Sequence, residues 1–150
     1  MRLTTLLCLL TLLPVEVLAY SCAISTTALN FGAIEGITGT SLQSTATFTV
    51  KCQADTDTDS AISYQIMIDG AETGGQRQMT NGNHTTHYQL YTSGNNQQIW
   101  DSSTGTLTDG YTLVADTSET RTYTVYASMA PSFQDVPGTY LDTRTINLVY

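Results

Sequence analysis

Residues 45–52 read TATFTVKC, and their apolar side chains fall on every second position. Ala46, Phe48, Val50 and Cys52 share one face, and Thr47, Thr49 and Lys51 the other. A period of two marks a strand half-buried against a core, because successive strand side chains point to opposite faces. Beyond residue 19 no stretch carries helical periodicity; the rest of the chain repeats the strand signature in short pieces. Residues 23–31 (AISTTALNF) form a first run closed by Gly32. Residues 63–69 (SYQIMID) align Tyr64, Ile66 and Ile68, residues 87–91 (HYQLY) align Tyr88 and Leu90, and residues 121–129 (RTYTVYASM) align Tyr123, Val125, Ala127 and Met129. Ile99 with Trp100, and residues 111–114, read as shorter edge or connecting strands. After Pro131 and Pro137, residues 138–150 form a closing run with Ile146, Leu148 and Tyr150 on one face and Val149 on the other. Roughly seven short strands at regular spacing, separated by Gly, Asn, Asp and Ser clusters, predict an all-β fold: an antiparallel sandwich of immunoglobulin-like character. A closing strand with no partner after it leaves a row of unpaired N–H and C=O groups, which raises the question whether another chain supplies a missing strand.

Residues 1–19 are expected to be a secretory signal peptide. Arg2 supplies the positive charge, residues 3–13 the apolar run, and Val17, Leu18 and Ala19 the cleavage pattern. The apolar run is shorter than the roughly 20 residues that span a bilayer, and Pro14 and Glu16 interrupt it. Tyr20 and Ser21 before Cys22 do not suit a lipoprotein signal. Cleavage after Ala19 gives a secreted chain of residues 20–150, the length of one domain. Cys8 leaves with the leader, and Cys22 and Cys52 remain as an even pair in an oxidising compartment, where a disulfide is the expected state.

Charged residues make up 12% of the chain and the formal net charge is −8. Only Lys51, Arg77, Arg121 and Arg144 are cationic in the mature part. That balance argues against binding to nucleic acid or to an anionic membrane surface, and membrane insertion is not expected.

Taken in order, the runs carry a resemblance. Cys22 precedes Leu29-Asn30-Phe31-Gly32, then Phe48-Thr49-Val50-Lys51-Cys52, then Tyr64-Gln65-Ile66 with Asp69-Gly70 and Arg77-Gln78-Met79. Tyr88-Gln89-Leu90-Tyr91, Tyr123-Thr124-Val125-Tyr126 and Gly138-Thr139-Tyr140-Leu141-Asp142-Thr143 follow. The series resembles the spore coat protein U domain, the subunit fold of the archaic chaperone-usher pili of Gram-negative bacteria, over essentially the whole mature chain. The resemblance implies an immunoglobulin-like sandwich lacking its final strand. A periplasmic chaperone fills the gap during folding, and an outer-membrane usher exchanges it for the extension of a neighbouring pilus subunit. It also implies passage to the periplasm and then to the cell surface. Ile24, Leu29, Phe31, Ile146, Leu148 and Tyr150 are the candidate walls of the accepting groove. With cleavage after Ala19, only Tyr20 and Ser21 precede Cys22, so the chain is expected to accept a strand and to have none to donate. Such a subunit belongs at a filament tip, with a role in adhesion. Two other readings stand beside this one: a secreted coat protein outside any pilus, and a self-complete carbohydrate-binding module.

Asp55, Asp57 and Asp59 alternate like the start of a calcium loop, but Ser60 and Ile66 stand where such a loop needs Gly and Glu, and a solvated turn is the expected reading. His84 and His87 lack a third ligand for zinc. Asn83-His84-Thr85 matches a glycosylation pattern that a bacterium would normally ignore. No nucleophile elbow, phosphate-binding glycine loop or paired-thiol motif occurs, and neither cofactor nor enzymatic activity is expected. Trp100 is expected in the core, and Phe133 is the candidate for an adhesive loop.

Overall fold

The computed structural model describes residues 20–32, 40–55, 57–70, 75–103, 106–132 and 135–150. The alternation at residues 45–52 lies inside a longer strand, β2 (Leu42–Ala54), whose Ala46, Phe48, Val50, Cys52 and Ala54 all point into the core. It pairs antiparallel on both sides, with β1 (Tyr20–Thr26) and with β7 (Ser118–Met129). β5 (His84–Tyr91) continues the sheet beyond β7, and β4 (Arg77–Asn81) closes it, giving the order β1-β2-β7-β5-β4. A second sheet of three strands has the order β6-β3-β8, from β3 (Ser60–Ile68), β6 (Leu107–Leu113) and β8 (Ile146–Val149). Every pairing is antiparallel. The two sheets stack into the immunoglobulin-like sandwich, and among the described residues the outer edge of β8 pairs with no strand.

Aromatic residues fill the centre. Phe48 meets Trp100 edge-on at 5.2 Å between ring centroids and stacks on Tyr123 at 5.4 Å. Trp100 is fully buried, and its indole N–H donates to the Ile66 carbonyl at 3.0 Å, so the ring is buried without leaving its polar atom unsatisfied. Cys22 and Cys52 stand directly opposite each other in the β1–β2 register and are joined by a disulfide. The Tyr140 hydroxyl donates to the Val136 carbonyl at 2.8 Å, closing the loop ahead of the Leu141–Thr80 bridge.

The elements depart from the sequence pattern at three places. The first strand ends at Thr26 and not at Phe31, because Thr27 turns its side chain into the ladder: the Thr47 amide donates to Thr27 Oγ1 at 2.9 Å. A hydroxyl competing with the backbone ends regular pairing at that point. The closing run is a strand only over Ile146–Val149. Upstream, the Thr145 amide donates to the Asp69 carboxylate at 3.0 Å, while Leu141 forms an isolated bridge with Thr80. β4 goes unread in the sequence because its inward position Arg77 is charged and breaks the apolar alternation. The turn into β5 is a tight one in which Gly82 takes a φ of 58°.

Replacing both Cys22 and Cys52 by alanine is expected to lower stability by roughly 3–4 kcal/mol, the chain-entropy value for a loop closed across a separation of 30 residues. The midpoint of urea unfolding, compared under oxidising and reducing conditions, checks this; equal midpoints would show that the disulfide adds no stability.

Candidate functional site

The wider sheet cannot be covered by the narrower one. Along the side where β8 ends its sheet, the inner face of β2, β7, β5 and β4 is left facing a cleft of about 440 Å³. The floor consists of Phe48, Val125, Leu90 and Met79, inward residues of those four strands. One rim is the segment that follows β1, carrying Leu29 and Phe31, and the other is the segment Tyr140 to Ile146 that leads into β8. Phe31 packs edge-on against Tyr88 at 6.0 Å, so even the half-buried rim residues are anchored on the floor. The lining is mainly apolar, with one polar end.

At that end the Tyr88 hydroxyl donates to the Asp142 carboxylate at 2.7 Å, and the same oxygen accepts from Arg144 Nε at 2.6 Å. The Arg144 guanidinium lies flat over Gly70, where a Cβ would collide with it and where φ is +87°. Glycine is needed there for its backbone angle, since the guanidinium is the far end of a flexible side chain and can give way. Burial first, and then the bond to Asp142, push the Tyr88 phenol up to about 12. It remains a hydrogen-bond donor across the whole physiological range.

Of the groove candidates, Leu29, Phe31 and Ile146 line this cleft. All three also pack against the core, as do Ile24 and Leu148, which stand opposite Val50 and Ile66 in their ladders and do not line the cleft. Tyr150 is 44% exposed and meets the Tyr20 ring at a tilt, 5.6 Å between centroids. The cleft opens only beyond Thr26 and Ile146, where both chains have left their ladders. Phe133 and residues 1–19, the expected signal peptide, lie outside the described residues. Met79, Tyr88, Leu90, Asp142 and Arg144 belong to the cleft without having been singled out for it. The alternation of Tyr88 with Leu90 was a usable signal, whereas Asp142 and Arg144 carry none.

The remaining polar clusters are bound up in the fold. Asp109 accepts from Arg121 at 3.1 Å and from the Tyr123 hydroxyl, with Arg121 packed 4.1 Å from the centre of the Tyr111 ring. Burial raises the Asp109 pKa, but the Tyr123 hydroxyl, the Gly110 amide and Arg121 outweigh it and hold the carboxyl below its usual range. Asp59 accepts from the Ala115 amide at 3.0 Å and Asp55 from the Ser21 hydroxyl at 3.4 Å. Among the described residues no three His, Cys, Asp or Glu side chains converge as a metal site.

The model of the Spore Coat Protein U domain matches residues 8–147. The chain belongs to that family. This Spore Coat Protein U domain is also similar in fold to a chain in the crystal structure of the CsuC–CsuE chaperone–tip adhesion subunit pre-assembly complex, from archaic chaperone-usher Csu pili of Acinetobacter baumannii. The TM-score is 0.55 at 17% identity, covering 87% of this chain and 40% of that one. A search of curated proteins found no match.

The raised Tyr88 pKa sets a pH dependence. An unfolded tyrosine ionises near ~10, and the fold favours the neutral form. The stability due to Tyr88 is therefore full below about pH 10 and is lost as pH rises through about 12. Tyr88→Phe is expected to flatten part of the fall in melting temperature over that window. An unaltered slope would remove the assignment.

Proposed function

We propose that this chain is a structural subunit of a surface pilus assembled by the chaperone-usher pathway, and that its cleft accepts a β-strand from a partner. The observation that carries the reading is the apolar cleft beside the free edge of β8. An inserted strand gains backbone hydrogen bonds from that edge and sets every second side chain into the lining. Membership of the Spore Coat Protein U family supports it, as does likeness to a chain from a chaperone–tip adhesion subunit complex. The partners are then a periplasmic chaperone, an outer-membrane usher and the neighbouring subunit that donates its strand. The route runs through the signal peptide, residues 1–19, to the periplasm and on to the cell surface. The role is structural and not catalytic.

Within the filament we place the chain at the tip, where adhesion is the natural task. Processing after Ala19 makes Tyr20 the first mature residue. With that start only Tyr20 and Ser21 precede Cys22, too short a segment to donate as a strand.

Mature protein without a partner is expected to unfold at low temperature, and a synthetic peptide of alternating apolar residues raises that temperature as its concentration rises. Co-expression with a candidate chaperone is expected to yield a stable one-to-one complex. Leu90→Glu, which sets a charge on the cleft floor, is expected to weaken peptide binding at least about tenfold, the loss of some 1.4 kcal/mol. A highly stable monomer indifferent to peptide and chaperone would mean a complete sandwich, and the binding-module reading would replace this one. N-terminal sequencing of the exported protein tests the tip position; a start well upstream of Tyr20 overturns it.

A further inference from the structure

Arg77 is fully buried at the first position of β4, and nothing above assigns it a task. Its guanidinium donates four hydrogen bonds. Nε reaches the Asp69 carbonyl at 2.9 Å, Nη2 the carbonyls of Ile68 at 3.1 Å and Trp100 at 2.6 Å, and Nη1 the Gln89 side-chain oxygen at 2.6 Å. Burying a charge is unfavourable unless its donors are satisfied, and here a planar fork is matched to carbonyls at fixed positions. The acceptors come from different parts of the sandwich. Ile68 ends β3 in the three-stranded sheet, Gln89 lies on β5 in the five-stranded sheet, and Trp100 follows the bridge from Tyr91 to Ile99. Gln89 is itself held, donating to the Gly75 carbonyl at 2.8 Å and accepting from the Leu90 amide at 3.0 Å. Stacked sheets ordinarily meet through side-chain packing alone, so a hydrogen-bonded tie between them fixes their separation at one point.

That point adjoins one end of the cleft, which Arg77 itself does not line. Ile68 lines the cleft and pairs with Ile146, the first residue of β8. Met79, two residues along β4 on the same face, lines it, and so does Tyr88, the cross-strand partner of Arg77. An empty apolar cleft gains by closing, since collapse removes its lining from water. We infer that Arg77 is a positioning residue for strand capture: its guanidinium is a strut that ties β4 and β5 to the end of β3 and keeps the cleft open while it is empty. The inference rests on the strand-accepting role proposed above. Lysine keeps the charge but presents a single ammonium that cannot span these acceptors, and methionine leaves them without a donor.

Once a strand occupies the cleft, its own side chains hold the sheets apart, and the strut matters less. Arg77 therefore acts on association and not on dissociation. The test mixes dilute mature protein with a fluorescein-labelled peptide of alternating apolar residues and reads both rates by fluorescence anisotropy. In Arg77→Lys the association rate per folded molecule is expected to fall about tenfold, as the fraction of open molecules falls, with the dissociation rate nearly unchanged. Gln89→Leu, which removes a single bond of the four, is the milder variant should Arg77→Lys not fold, and is expected to slow association in the same sense. Ile62→Ala, a core truncation whose residue does not line the cleft, is the control for general destabilisation and should leave the association rate per folded molecule unaltered. Wild-type protein that captures no peptide removes the accepting role and this inference with it. Capture by wild type at a rate that Arg77→Lys and Gln89→Leu both share, or that Ile62→Ala slows equally, removes the inference alone.

Discussion

A sheet of five strands faces a sheet of three, and the unequal widths govern the rest of the structure. The inner face of the wider sheet is apolar along β2, β7, β5 and β4, because the same alternation builds each of those strands. Among the described residues, the narrower sheet covers this face only as far as β8 reaches. What remains uncovered cannot be made polar without weakening the core, since Phe48 and Leu90 belong to both cleft floor and interior. The site is therefore the exposed margin of the core itself.

Polar clusters tie strands together at that margin and elsewhere between the two sheets. With few charges available, they work through shared acceptors. Asp142 takes hydrogen bonds from Tyr88 and Arg144, and Asp109 from Tyr123 and Arg121. Each carboxylate ties an aromatic hydroxyl of one strand to a different part of the chain. Arg77 does the complementary task from the cationic side, with acceptors drawn mostly from the backbone. Partly buried groups of this kind hold geometry more than they add net stability, because desolvation offsets much of their attraction.

The strands were legible wherever side chains alternate between water and the core. The runs around Phe48, Tyr64, Tyr88 and Val125 were all visible as strands before any coordinates. Their boundaries were less so. Thr27 ends β1 by a side-chain hydrogen bond, and nothing in the pattern AISTTALNF distinguishes Thr27 from Thr26 as the residue that will do it. β4 was hidden because Arg77 occupies an inward position normally read as outward. The cleft was legible in part: Leu29, Phe31 and Ile146 line it, while Ile24 and Leu148 carry the same apolar character and pack against the core without lining it. Hydrophobicity identifies residues that leave water but does not say which of two apolar surroundings they enter.

The sequence by itself determined most of the strands through period-two alternation, the pairing of Cys22 with Cys52 as the two cysteines of residues 20–150, and the family through the order of its motifs. Tertiary structure alone decided where the two sheets fail to cover each other, since that depends on strand order across residues far apart in the chain. It alone placed Arg77 against the carbonyls of Ile68, Asp69 and Trp100, and Tyr88 against Asp142. A hydrogen bond requires a distance and a direction between its partners, and for residues this far apart in the chain both exist only after the sheets have stacked.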